Sequence, residues 1–260
     1  MILKLKLALA VLLCGATSVA SADEFAAYKQ AASQLRALPQ PARAASPKAA
    51  PLFAILSDNQ RFLESRTFAV SDMAKLREMC GTSTKLMATY MLDGTQAAAA
   101  AAGKDQQKVN AAVTERAARN ARVFQDELAQ LFPFAARCGA HLIPVTEAFT
   151  AKLPPEQLDE VRLAGVRQMQ QGAFNTLSGT IAMLAHKEMD EAHLVRITRA
   201  VANSAPAYAS VLSLAMRDQV KGMATTVQNT VSAEQAKLLA QVVQAMQDRK
   251  CNKLCMVSGK

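Results

Sequence analysis

The sequence predicts an all-α protein, an irregular multi-helix bundle of roughly six to eight helices with a flexible N-terminal segment and a Pro-rich linker. Three observations carry this. Apolar residues recur at steps of three and four along most of the chain. No stretch alternates as a half-buried strand would, and no Asn-Gly hairpin occurs. Gly and Pro, ten and nine in 260 residues, are too few to punctuate a many-stranded fold.

The opening "MILKLKLALAVLLCGATSVASADEF" has the layout of a secretory signal peptide. Lys4 and Lys6 make a positive start, Leu7 to Ala16 an apolar stretch, and Ala20-Ser21-Ala22 a small-residue cleavage site before Asp23. Residues 1–22 are therefore expected to be a signal peptide, which puts the mature chain in the bacterial periplasm or outside the cell. A lipoprotein attached through Cys14 is the less favoured reading, because Leu12-Leu13 precede it where a small residue is preferred. The apolar stretch falls short of the roughly 20 residues a spanning helix needs, and no later run reaches that length. The mature chain is expected to carry no transmembrane segment.

Residues 23–38 read as a short helix anchored by Phe25, Tyr28, Leu35 and Leu38. Pro39, Pro41, Pro47 and Pro51 then mark an extended linker, so residues 23–51 are expected to attach loosely to one helical domain over 52–260. Residues 52–64 form a second short helix. From Ser71 a stripe of Met73, Leu76, Cys80, Ser83, Met87 and Tyr90 runs to Asp93-Gly94, and the Ala run after it has helical character. One long helix is expected from Asp105 to Arg137, kinked at Pro133. Another runs from Pro155 to Ala185. Asp190 is expected to cap the next helix, with Met189 and Leu194 as a hydrophobic staple; Pro206 interrupts that helix and Gly222 ends the following one. Ser232 and Gln235 form a capping box for the last helix.

Formal charge is +9, of which Lys4 and Lys6 carry two, and the remainder is spread evenly, with no basic arm and little aromatic content. This argues against nucleic acid as a partner and leaves only weak attraction to anionic surfaces. Nothing calls for a cofactor.

Without Cys14, four cysteines remain: Cys80, Cys138, Cys251 and Cys255. In an oxidising compartment two disulfides are expected. Cys80 and Cys138 lie on core-facing stripes and suit each other, which leaves Cys251 with Cys255 in "CNKLC". Residues four apart in an intact helix hold their Cβ atoms about 5–6 Å apart, beyond disulfide reach, so the last helix must end by Cys251 if that pair is bonded. A catalytic redox pair is disfavoured, because such pairs usually read C-x-x-C at a helix start.

The connection "HKEMDEAH" brings His186, Glu188 and His193 together as possible metal ligands, though capping already accounts for Asp190 and Glu191. Asp126-Glu127 and Asp159-Glu160 read as solvated helix surface. A set such as His141 with Glu147 or Asp159 would be needed for acid/base work. Gly165, Gly172 and Gly179 recur every seven residues within one helix. Each costs about 1 kcal/mol relative to Ala. The stripe is expected to admit a neighbouring helix of the same chain, to stand open as a groove for a partner's helix or an extended ligand, or to split the helix into shorter pieces. The leading functional expectation is an exported, non-enzymatic interaction protein: an accessory, chaperone-like or inhibitor/immunity factor whose partner is another envelope protein. The alternatives are an envelope-acting hydrolase and a metal or small-ligand carrier.

Overall fold

The computed structural model describes residues 17–154, 157–251 and 253–257, with side chains from residue 24 onward. Cys14 and the apolar part of the expected leader lie outside the described residues. Ten α-helices are present and no strand occurs among the described residues: α1 (Thr17–Ala37), α2 (Ala50–Leu56), α3 (Met73–Met91), α4 (Thr95–Ala101), α5 (Gln106–Val123), α6 (Gln125–Ala151), α7 (Glu160–His186), α8 (Glu191–Val211), α9 (Leu214–Gln228) and α10 (Ala233–Gln247). A π-helical turn (Gln60–Glu64) and a 3₁₀ turn (Val70–Asp72) lie between α2 and α3. Helix α6 is the hub, packed by α3 on one side and α8 on another, with α2 and the two short turns closing over it. Helices α9 and α10 pair with each other; α10 also covers α8, and α7 lies along α8 and α9. None of the described helices is long and apolar enough to cross a membrane.

The expected loose attachment of the N-terminal segment is not what the described residues show. Tyr28, Ala31, Ala32 and Leu35, one stripe at helical spacing, are buried. The Tyr28 ring stacks on Phe134 at 4.9 Å and meets Phe62 edge-on at 5.3 Å. The Pro-rich stretch is likewise held. Ala42, Ala44 and Ala49 are buried. Tyr90 Oη donates to the Ala42 carbonyl at 2.8 Å, and Glu127 Oε1 accepts from Ala44 N at 2.7 Å and Arg43 Nε at 3.0 Å. Proline spacing marks the gap between two helices, but residues 44–49 are turns and not the expected extended linker, with Ser46 N donating to the Arg43 carbonyl and Ala49 N to that of Ser46. Nor does that spacing report the slot on α6 and α3 that receives the stretch.

Glu127 thereby departs from the solvated surface expected of Asp126-Glu127, being only 1% exposed. Its neighbours are tied as well. Gln125 Nε2 donates to Asp190 Oδ2 and its Oε1 accepts from Asp190 N, while His193 Nε2 lies 2.9 Å from Asp126 Oδ1. These lateral ties set where the expected single helix over 105–137 divides. The break falls at Phe124, with φ/ψ of −110°/27°, and not at Pro133. Pro133 and Pro144 are both carried inside α6. Pro206 is carried inside α8 and Gly222 inside α9, where the sequence pointed to an interruption and an end. In each case the burial of a long apolar face outweighs one lost backbone bond or one weak helix former. The last helix opens as expected: Gln235 N donates to Ser232 Oγ and Ser232 N to Gln235 Oε1.

One close helix contact involves a glycine in α6. A Cβ at Gly139 would sit 2.9 Å from Tyr208 Oη, whose hydroxyl donates to the Ala136 carbonyl and is buried. The absent side chain lets α8 close on α6. Gly139→Ala is expected to lower the unfolding free energy by about 1–2 kcal/mol, since overpacking outweighs the helix-propensity gain, as read from urea denaturation midpoints. Glu127→Ala, which strands the buried Ala44 N–H, should cost about 2 kcal/mol in the same assay, and Glu127→Gln clearly less because an acceptor remains.

Candidate functional site

Two disulfides fix the ends of the molecule's middle and last segments. Cys80 on α3 bonds Cys138 on α6 across a Cα–Cα distance of 5.4 Å, with Cys138 wholly buried. Cys251 bonds Cys255 across 5.3 Å. The geometric condition on that pair is met: α10 stops at Gln247, and Asp248 leaves in extended conformation with φ/ψ of −63°/120°.

The terminal loop closes one wall of a cleft of about 370 Å³, lined by Glu147 from α6, Pro206 and Ser210 from α8, Arg217 from α9, and Asp248 and Cys251. Arg217, near the start of α9, is 1% exposed. Its Nε donates to the Leu212 carbonyl at 3.1 Å, and Nη1 donates to the Lys250 carbonyl at 3.0 Å and also to that of Asp248. Nη2 lies 3.5 Å from Cys255 Sγ. Burial pulls the guanidinium below its ordinary value, against the opposing charge of Asp248. Gln170 on α7 completes the clamp, donating to the carbonyls of Val211 and Leu254 at 3.1 and 2.9 Å. Neither Arg217 nor Gln170 stood out in the sequence. The only signal available was a polar residue at a core position of an amphipathic helix, which a helical pattern with Met216 and Val220 on either side of Arg217 does contain.

The connection His186–His193 does not assemble as a metal site. Among the described residues no three His, Cys, Asp or Glu groups are placed to hold a metal ion. His193 turns to Asp126, His186 is exposed at the end of α7, and burial raises the carboxyl of Glu188, with His186 and Arg122 opposing. The turn between α7 and α8 is built on Lys187 in left-handed conformation (φ 48°) and on the buried Met189 and Leu194. Asp190 spends its carboxylate on Gln125 and not on its own helix.

His141, Glu147 and Asp159 do not converge either. His141 packs edge-on against Phe68 with ring centroids 5.6 Å apart. Glu147 faces the cleft, and Asp159 caps α7 by accepting from Arg162 N at 2.9 Å. The His193–Asp126 contact is a histidine side-chain hydrogen bond on the surface between α6 and α8.

Gly165, Gly172 and Gly179 lie on the outer face of α7. All three are exposed, and a Cβ built at any of them meets nothing within 4 Å. The close approach of a neighbouring helix within the chain is therefore corrected, since α8 and α9 pack on the opposite face through Val166, Gln170, Ala173 and Leu177, and the glycines do not split α7, which runs unbroken from Glu160 to His186. Val161 continues the outer face and is 81% exposed. Comparison with family models, curated proteins and solved structures finds no match for the chain.

Burial, with Arg137 adding to it, holds His141 below its ordinary value of 6.5. Between that lowered value and about 6.5 the unfolded chain binds a proton that the folded chain does not. This contribution to stability is thus complete above pH 6.5 and lost as the pH falls through the folded value. Urea midpoints should drop between pH 7.5 and pH 5.5, and His141→Gln should flatten that drop.

Proposed function

We propose that the protein is an exported, non-enzymatic helical interaction protein of the bacterial envelope, and that the outer face of α7 receives a helix of its partner. The observation that carries this reading is the open space at Gly165, Gly172 and Gly179. Each glycine weakens an exposed helix by about 1 kcal/mol, and no described residue uses the room it leaves. A partner helix laid along the seven-residue repeat would use it, since small residues let two helix backbones approach closely. The leader-like N-terminus and the two disulfides support an oxidising compartment, consistent with the periplasm. The hydrolase alternative needs His141, Glu147 and Asp159 in one place, and the carrier alternative needs ligands at His186–His193 that point together; neither arrangement occurs among the described residues.

The test separates stability from binding. Gly172→Ala should stabilise the fold by about 0.5–1 kcal/mol, because its Cβ enters open space. A photoreactive residue placed at Gln168, which shares the stripe, should trap a discrete partner in cells of the producing bacterium. The same residue placed at Gln107 on α5 should not. The double variant Gly165→Gln, Gly172→Gln should keep its helical circular dichroism and lose the crosslink. Equal crosslinking from both positions, or a crosslink that survives the double variant, rejects the α7 surface.

A further inference from the structure

The guanidinium of Arg217 is a buried cation held by main-chain carbonyls, and among the described residues no side-chain carboxylate lies within ion-pairing distance of it. The carboxylate of Asp218, the next residue, is turned to Arg249 at 2.9 Å, and that of Asp248 accepts from Lys250 N at 2.9 Å. The Asp248 charge offsets part of the cost of burying this cation, and further negative charge that develops beside it is favoured. Cys255 Sγ, 3.5 Å from Nη2, is an atom able to develop such a charge.

The two sulfurs of this disulfide are not equivalent. Cys255 is 2% exposed and enclosed with Arg217, whereas Cys251 is half-buried and lines the cleft opposite Glu147 and Ser210. A thiolate arriving from solvent meets Cys251 first, and the sulfur it displaces lies against a cation. A leaving thiol of lowered pKa leaves faster. In C-x-x-C proteins a helix N-terminus supplies that positive field; here a side chain from α9 supplies it, which frees the pair from that spacing and position.

We infer that Cys251–Cys255 is a thiol–disulfide exchange site that accepts two electrons from an external dithiol, with Cys251 as the attacked sulfur and Cys255 as the leaving thiolate. In the first step a thiolate of the donor bonds Cys251 Sγ, the Cys251–Cys255 bond breaks, and its electron pair goes to Cys255 Sγ beside Arg217. In the second, the donor's other thiolate bonds its own first sulfur and releases Cys251 as a thiolate. The donor ends as a disulfide and this chain as a dithiol. The inference stands apart from the α7 surface. Cys80–Cys138 serves as its internal control: it too has one half-buried and one buried sulfur, but Cys138 Sγ lies against the Leu76 carbonyl and not against a guanidinium.

The intact exported protein is incubated at pH 7 without denaturant, with dithiothreitol or with reduced glutathione, then alkylated and mapped by peptide mass. Cys251–Cys255 should open at least about tenfold faster than Cys80–Cys138, and the glutathione adduct should sit on Cys251. In the protein reduced only at this pair, thiolate absorbance should show one thiol titrating clearly below the ordinary value of about 8.5. Arg217→Lys should keep much of that lowering and Arg217→Gln should abolish it. Where Arg217→Gln fails to fold, the wild-type titration and the adduct position decide. Opening of both disulfides together, an adduct on Cys255, or two thiols titrating at or above about 8.5 would overturn the inference.

Discussion

Helix α6 has to be buried on more than one side, and the rest of the molecule is arranged to satisfy it. Leu128, Leu131, Phe134, Cys138, Ile143 and Val145 are all buried, so no single neighbour can cover it. The α3 face is locked by a disulfide, the α8 face closes on Gly139, and α1 and the Pro-rich stretch fill what remains through Tyr28 and Ala44. A helix apolar nearly all round belongs in the centre of a bundle. Two internal prolines survive there because the surrounding packing constrains the axis from several directions at once.

A bundle with many short connections must satisfy the carbonyls at its helix ends, and this one repeatedly does so with buried side-chain donors. Asn120 Nδ2 donates to the carbonyls of Met91 and Asp93 at the end of α3, and Arg116 Nε to Asp93 as well. Gln170 and Arg217 do the same for the ends of α8 and α10 and for the terminal loop. Amide donors bring no net charge into the core. Arg217 does, and that difference makes the C-terminal end electrostatically distinct from the α3–α4 corner, where Arg116 pairs with the Asp93 carboxylate at 3.0 Å.

The two surfaces of interest differ in kind. The outer face of α7 is open and nearly featureless, suited to contact along a length of helix. The cleft beside the terminal loop is small and mixed in charge, with Glu147 and Asp248 against Arg217 and Lys250. The terminal disulfide lines it through Cys251.

Periodicity alone determined the helical class, the capping box at Ser232 and Gln235, and the requirement that the last helix end before Cys251, because each depends only on residues within a few positions of one another. The same local view overestimated Pro133, Pro206 and Gly222 as breakers and left Glu127 on the surface. Tertiary packing decided those, since a proline's lost hydrogen bond is local whereas the burial that offsets it is contributed by distant helices. The position of the glycine stripe was undecidable in the same sense. A spacing of seven places Gly165, Gly172 and Gly179 on one face, but only α8 and α9, by covering the opposite side, determine that this face points outward. Arg217 was decided entirely by the assembled structure: a guanidinium becomes notable only when carbonyls from α8 and the terminal loop, separated in sequence, close around it and bring Cys255 alongside.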